Sequence, residues 1–230
     1  MFDLVGRENL IFEVLQEFVR AELRFVLVGG YAVSAYKHRF SIDADLVLKK
    51  DDLEKFEKIL RQHKLEKTIV KELNHVYASE FIRYETKQRP SASFDLLIDG
   101  LGSRTTHASF SLALLEQYSR KRTVIGTEKE VTLLVPDPEV LITLKIHSGR
   151  LTDFRDIVAL CHNVNLEIVR RLIGVGDIAV VKQNIQKLLG LLERKEFMDS
   201  FKGVFREKKY DVNIKEVQAL KGLIVENANN

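Results

Sequence analysis

Three aspartates in this sequence stand inside apolar runs, and their spacing gives them chemical meaning. Asp43 and Asp45 lie in FSIDADLVL at 40–48, and Asp95 lies in ASFDLLI at 92–98. Both runs read as strands. Side chains alternate along a strand, so Ile42, Ala44 and Leu46 are expected to face one way and Asp43 and Asp45 the other. Two carboxylates held that close repel each other unless a cation sits between them. Oxygen-only ligands with coordination positions left open suit Mg²⁺, which completes its shell with water and phosphate. If the Asp95 strand pairs beside the first, its carboxylate completes a site for two magnesium ions. A solvated strand face would account for a lone Asp-x-Asp, whereas three acids on two apolar strands ask for one shared explanation.

Gly29 and Gly30 close the apolar run FVLVGG, just before a short helix predicted over 31–38. Backbone N–H groups at such a junction point outward, and glycine lets phosphate oxygens come close. Taken alone, the pair reads equally well as a tight turn that needs glycine for steric reasons. Its place shortly before Asp43 makes it informative. Further on, Lys145 lies in a helix among Leu141, Leu144 and Ile146. From its spacing it is either a solvated helical lysine or a cation able to reach a triphosphate. Asp153 and Asp156 stand three apart at a helix start, where acids favour the macrodipole. Asp156 reads as structural, and Asp153 as a group that orients Lys145 or a nucleotide. His147, Cys161 and His162 have the wrong number and spacing for zinc and read as core or surface residues. The basic clusters Arg120-Lys121-Arg122 and Arg206, Lys208, Lys209 read as solvated.

The elements that must position these groups follow from periodicity. Leu10, Ile11, Val14, Leu15 and Phe18 recur at helical spacing over 7–22. A helix over 51–64 begins with acids and ends with bases. Two strands are expected within 68–84, a hairpin around Gly126, and nothing decisive over 111–119. Asp137 caps a helix with Pro138 in its first turn. Beyond it the pattern is helical, at about 139–148, 152–162, 165–172, 177–193 and 213–225. The expected fold class is therefore α/β (α+β), a small mixed sheet followed by a helical half. The cut falls near Pro136, with domains at 1–135 and 136–230. The polar end of the chain, 226–230, is expected to fray.

Composition sets the outer limits. Of 230 residues, 45% are apolar and 30% charged, an ordinary globular balance. A net charge of +3 is too even to announce nucleic-acid binding. The single cysteine excludes an intrachain disulfide, and no apolar run approaches the ~20 residues that cross a bilayer, so a cytoplasmic protein without membrane contact is expected.

The run FVLVGGYAVSAYKHRFSIDADLVL, with FDLLI further on, resembles the DNA polymerase beta nucleotidyltransferase superfamily. Within it the chain is most similar to the AbiEii/MenA-type toxin nucleotidyltransferases. Those share an Arg-x-Thr-x-Asp-x-Asp run, here Arg39-Phe40-Ser41-Ile42-Asp43-Ala44-Asp45. They also share a later Lys, Arg and Asp-x-x-Asp segment, here Lys145, Arg150 and Asp153 to Asp156. The likeness covers roughly 23–160. Gly30 stands where many relatives carry serine, so backbone donors or Ser34 must serve in place of that hydroxyl.

The resemblance implies a nucleotidyltransferase fold whose helical half closes over the nucleotide. It implies transfer of a nucleoside monophosphate from a nucleoside triphosphate to an acceptor hydroxyl on RNA, such as a tRNA end, or on protein, with release of pyrophosphate. Asp43, Asp45 and Asp95 would hold the two Mg²⁺ ions. Gly29, Gly30, Ser34, Arg39, Lys145 and Arg150 would bind the nucleotide, and Lys145 and Asp153 would serve catalysis. An antitoxin partner belongs to the same implication. Two alternatives use the same ligands: a phosphotransferase acting on the γ-phosphate, and a nucleotide-binding protein without catalysis.

Overall fold

A computed structural model describes residues 3–225, and the tail at 226–230 lies outside the described residues. The chain forms two compact units, one of Met1–Gly102 with Ser109–Pro136 and one of Ser103–Ala108 with Asp137–Asn230.

The first unit opens with α1 (Leu4–Arg20), whose N-cap Asp3 accepts a hydrogen bond from the Gly6 amide at 2.7 Å. Ile11, Phe12, Val14, Leu15 and Phe18 are fully buried along it. Leu10 is only partly buried, and Phe12 takes an inner position instead. Then follow β1 (Phe25–Val28), α2 (Gly29–Ser34), β2 (Asp43–Leu48), α3 (Leu53–Gln62), β3 (Leu65–Glu72), β4 (Glu80–Thr86) and β5 (Ser93–Ile98). The sheet runs in the order β1-β2-β5-β4-β3, and only the β2–β5 pair is parallel.

One face of this sheet is apolar and packs on α1 and α3. Phe18 of α1 lies 6.0 Å from Phe94 of β5, 6.0 Å from Phe25 of β1 and 4.8 Å from Phe56 of α3, measured between ring centres. These rings fix β5 from beneath, and alternation then turns Asp95, the next residue, to the opposite face.

Ile42 departs from the expected alternation. It is 65% exposed, and the strand begins one residue later at Asp43. The reason is local: the Ser41 carbonyl accepts from the Tyr31 hydroxyl at 3.3 Å and from Arg7 at 3.4 Å, so the chain is tied into a loop before pairing starts. The unit continues with β6 (Gly100–Gly102) paired to β7 (Ser109–Ser111), then α4 (Leu112–Gln117) and the hairpin β8 (Ser119–Ile125) and β9 (Glu130–Pro136). The ambiguity over 111–119 resolves as a helix because Ser111 caps it, its hydroxyl accepting from the Leu114 amide at 3.2 Å.

The second unit holds α5 (Pro138–Ser148), α6 (Leu151–Leu160), α7 (Leu166–Ile173), α8 (Ile178–Leu189), α9 (Lys195–Phe205), α10 (Ile214–Ala219) and α11 (Gly222–Val225). Every residue of α5 from Val140 to His147 is buried, and the helix packs against α6, α7 and α8. A helix buried all round must find partners inside the protein for each polar side chain it carries. The sequence pattern extends α8 to 193 and leaves no place for α9. In the structure α8 ends at Leu189 before Gly190, and Phe197, Phe201 and Phe205 form the buried stripe of a separate helix. Among the described residues, no helix is long and apolar enough to cross a membrane.

Candidate functional site

Register decides which acids meet. In the parallel β2–β5 pair, Asp45 lies opposite Asp95 and Asp43 opposite Ser93. Directly paired residues share a face, so both acids of β2 rise beside the acid of β5. Carboxylate oxygens from Asp43, Asp45 and Asp95 lie within 4.8 Å of one another. Asp95 is 5% exposed, while Asp43 and Asp45 are half-buried. Oxygen-only ligands at this spacing, partly open to solvent, could hold a metal ion.

The glycines border this group. Val28 pairs with Asp45, which brings the end of β1 alongside the acids. Gly29 follows with φ +69°, and a Cβ built there would lie 1.8 Å from Asp45 Oδ2. No other residue can adopt that backbone and leave the carboxylate in place. A Cβ on Gly30 would lie 2.3 Å from Ser41 Oγ and 3.1 Å from the Arg39 guanidinium. Ser34 donates to the Arg39 carbonyl at 2.8 Å and to the Gly30 carbonyl at 3.3 Å. Its hydroxyl therefore ties α2 to the loop that carries Arg39, whose Nε donates to the Phe40 carbonyl at 3.1 Å.

A further residue joins the acids that the sequence did not single out. Arg83 of β4 is paired with Asp95 in register. Its Nε and one terminal nitrogen each lie 2.6 Å from an Asp95 oxygen, and the same nitrogen is 3.5 Å from Asp43 Oδ2. Burial raises the pKa of Asp95, with Arg83 pulling the other way. The hydrogen bonds to Asp95 raise that of Arg83 in turn. The only signal in the sequence was an arginine within an alternating strand, which identifies nothing until the register is known.

The second unit holds its own charge cluster. Lys145, 7% exposed, lies 3.0 Å from Asp153 Oδ1 and 2.7 Å from Asp156 Oδ2, and both acids are fully buried. Burial works against the charge on Lys145, but Asp156 and Asp153 outweigh it and raise its pKa. Asp153 also accepts from the Arg150 amide at 3.2 Å and from its guanidinium at 2.8 and 3.2 Å. Burial alone would raise the Asp153 pKa, yet Lys145 and Arg150 together lower it to about 2. Lys145 is therefore not a solvated lysine, and Asp156, read from the sequence as structural, is its nearer partner. His147, fully buried, meets the Thr106 hydroxyl at 2.8 Å, and burial lowers its pKa to about 4. Cys161 is buried and its thiol pushed up to about 12, while His162 is exposed.

Comparison with known proteins gives this geometry a context. The family model described as "Nucleotidyl transferase AbiEii toxin, Type IV TA system" matches residues 13–214. The crystal structure of JHP933 from Helicobacter pylori is similar in fold, with TM-score 0.51 and 16% identity over 98% of this chain and 94% of that one. A second crystal structure from H. pylori gives TM-score 0.50 and 15% identity, over 99% and 98% of the two chains. ANT(2")-Ia in complex with adenylyl-2"-tobramycin gives 0.49 and 15%, over 76% and 97%. No curated protein matches the sequence. The family match spans most of the chain and includes the Asp-x-Asp strand, the third aspartate and the Lys145 cluster, so this protein belongs to the AbiEii nucleotidyltransferase toxin family and is a nucleotidyltransferase.

Proposed function

We propose that the protein moves a nucleoside monophosphate from a nucleoside triphosphate to the hydroxyl of an RNA or protein acceptor. The observation that supports this most is the convergence of Asp43, Asp45 and Asp95 beside Gly29, within one sheet. In this reading a bond forms between the acceptor oxygen and the α-phosphorus, and the bond to the bridging oxygen of the β-phosphate breaks, releasing pyrophosphate. Magnesium held by Asp43, Asp45 and Asp95 would neutralise triphosphate charge and lower the pKa of the attacking hydroxyl.

The chain's own groups have separate tasks. Gly29 and Gly30 lend backbone N–H groups to the phosphates and keep the space beside Asp45 clear. Ser34 and Arg39 hold the loop between α2 and β2. Asp95, whose burial raises its pKa, takes the proton of the acceptor hydroxyl. Lys145, Arg150 and Asp153 act together in triphosphate handling, with Asp156 as the second anion that keeps Lys145 charged. An antitoxin restrains the protein in a cytoplasmic setting.

The test is calorimetry of triphosphate binding with and without Mg²⁺, followed by incubation with each labelled triphosphate and total RNA. Binding should require the metal, since three carboxylates repel a polyphosphate. Asp43→Ala should abolish transfer and leave the metal-free melt unchanged or raised. A product heavier by a bare phosphate would instead favour the γ-phosphotransferase reading, and equal affinity in chelator would sink the metal site.

A further inference from the structure

The metal reading leaves Arg83 unexplained, and its geometry carries a consequence for that site. The guanidinium grips both oxygens of Asp95 at 2.6 Å each, and reaches 3.5 Å from Asp43. A fork at this distance engages both oxygens of Asp95, the atoms that a cation shared by Asp95 and Asp43 would also need. We propose that Arg83 is a built-in stand-in for the metal: its fork closes the carboxylate cluster in the metal-free protein and must release Asp95 before a divalent cation can bind. The proposal rests on the reading of Asp43, Asp45 and Asp95 as metal ligands.

Two features of the site support release. The Arg83 side chain is 28% exposed, so it can swing without opening the core. A second acid also waits on the same face of β4. Glu85 stands two residues on, with Oε1 3.8 Å from the remaining terminal nitrogen of Arg83 and a side chain 30% exposed. Arg83 thus has two anionic resting places, one at the cluster and one outside it. Holding the fork on Asp95 spares the empty cluster the repulsion of three close carboxylates. Moving it to Glu85 frees both Asp95 oxygens and keeps the guanidinium paired. Cation affinity then depends on how readily Arg83 leaves, which makes Arg83 a positioning residue that acts through Asp95.

The experiment is Mn²⁺ binding without nucleotide, read by electron paramagnetic resonance on wild type, Arg83→Gln, Arg83→Lys and Glu85→Gln. Removal of the fork should tighten Mn²⁺ binding about tenfold, the scale of one partly exposed charge-assisted contact given up. Arg83→Lys, which keeps the charge and loses the fork, should gain most of that increase. Glu85→Gln should weaken binding, because the second resting place is gone. Metal-free Arg83→Gln should melt earlier than wild type and recover more on adding Mn²⁺, so a less stable variant still reports. Equal or weaker binding by Arg83→Gln overturns the proposal. So does an Arg83→Lys variant that binds like wild type, which would make Arg83 only a distant charge. Binding by neither wild type nor variants overturns the metal site itself, whereas equal binding by both leaves that site standing and removes Arg83 alone.

Discussion

Replacing Lys145 by alanine should destabilise the protein far more than a surface lysine would, and the acids beneath it set the size of the effect. Lys145 lies 3.0 Å from Asp153 and 2.7 Å from Asp156, both with 0% of their surface exposed. Removing one partner of a buried ion pair leaves an uncompensated charge and costs about 3–5 kcal/mol. Asp153 would keep its bonds from Arg150, which softens the penalty on that acid. At roughly 2–4 °C per kcal/mol for a chain of this length, the melt at pH 7 should fall by about 10 °C. Lys145→Met keeps the packing of the stem and should fall nearly as far, while adding Asp156→Asn to it should restore much of the loss.

The pH dependence supplies a second reading of the same event. In the wild type the Asp153 pKa is depressed to about 2, so its stabilising contribution is present above the ordinary carboxylate value of 3.8 and is lost as pH falls towards 2. In Lys145→Ala both buried carboxylates have lost the lysine's positive charge, and protonation relieves part of that loss. The gap between the two proteins should therefore narrow on acidification from pH 7 to pH 4. Thermal or urea melts of both across that range decide the matter. A Lys145→Ala melt within 2 °C of wild type, or a gap that widens in acid, would refute the reasoning.

Two further outcomes are expected. Gly29→Ala should cost at least about 1–2 kcal/mol from its left-handed backbone alone. It should also weaken Mn²⁺ binding by pushing Asp45 aside; urea unfolding and metal titration read the two effects separately, and an unchanged metal affinity would mean the glycine serves the turn only. His147, fully buried with its pKa lowered to about 4, should contribute stability above its ordinary value of 6.5 that is lost as pH falls towards 4, by up to about 3 kcal/mol. Urea melts of wild type and His147→Gln between pH 7 and 4 should show the variant with the flatter profile.

The elements were largely legible in the sequence, because periodicity is local. Strand alternation put Asp43 and Asp45 on one face of β2, and the start of α5 follows from Pro138, whose ring suits the first helical turn; the Asp137 side chain makes no capping hydrogen bond there. The three acids could be named as one group because apolar neighbours flank each of them. Where the local signal is divided, contacts between elements decide. Ile42 looks like a strand residue, yet Tyr31, 10 residues before Ser41, and Arg7, 34 before it, tie the Ser41 carbonyl into a loop. The helix at Lys195–Phe205 carried its phenylalanine stripe openly but fell beyond an overextended α8.

What the tertiary structure alone decided is which charges meet. Arg83 reaches Asp95 because β4 and β5 pair in one register, and a slip of one residue would turn it to the apolar face. Lys145 and Asp156 could each pass for a surface residue by type and spacing. They are partners because α5 is covered by α6, α7 and α8, which takes the lysine out of water and requires an anion beside it. The sequence determined the kinds of groups and the face each one takes along its own element. Pairing and burial are properties of several elements packed together, and no single stretch of residues encodes them.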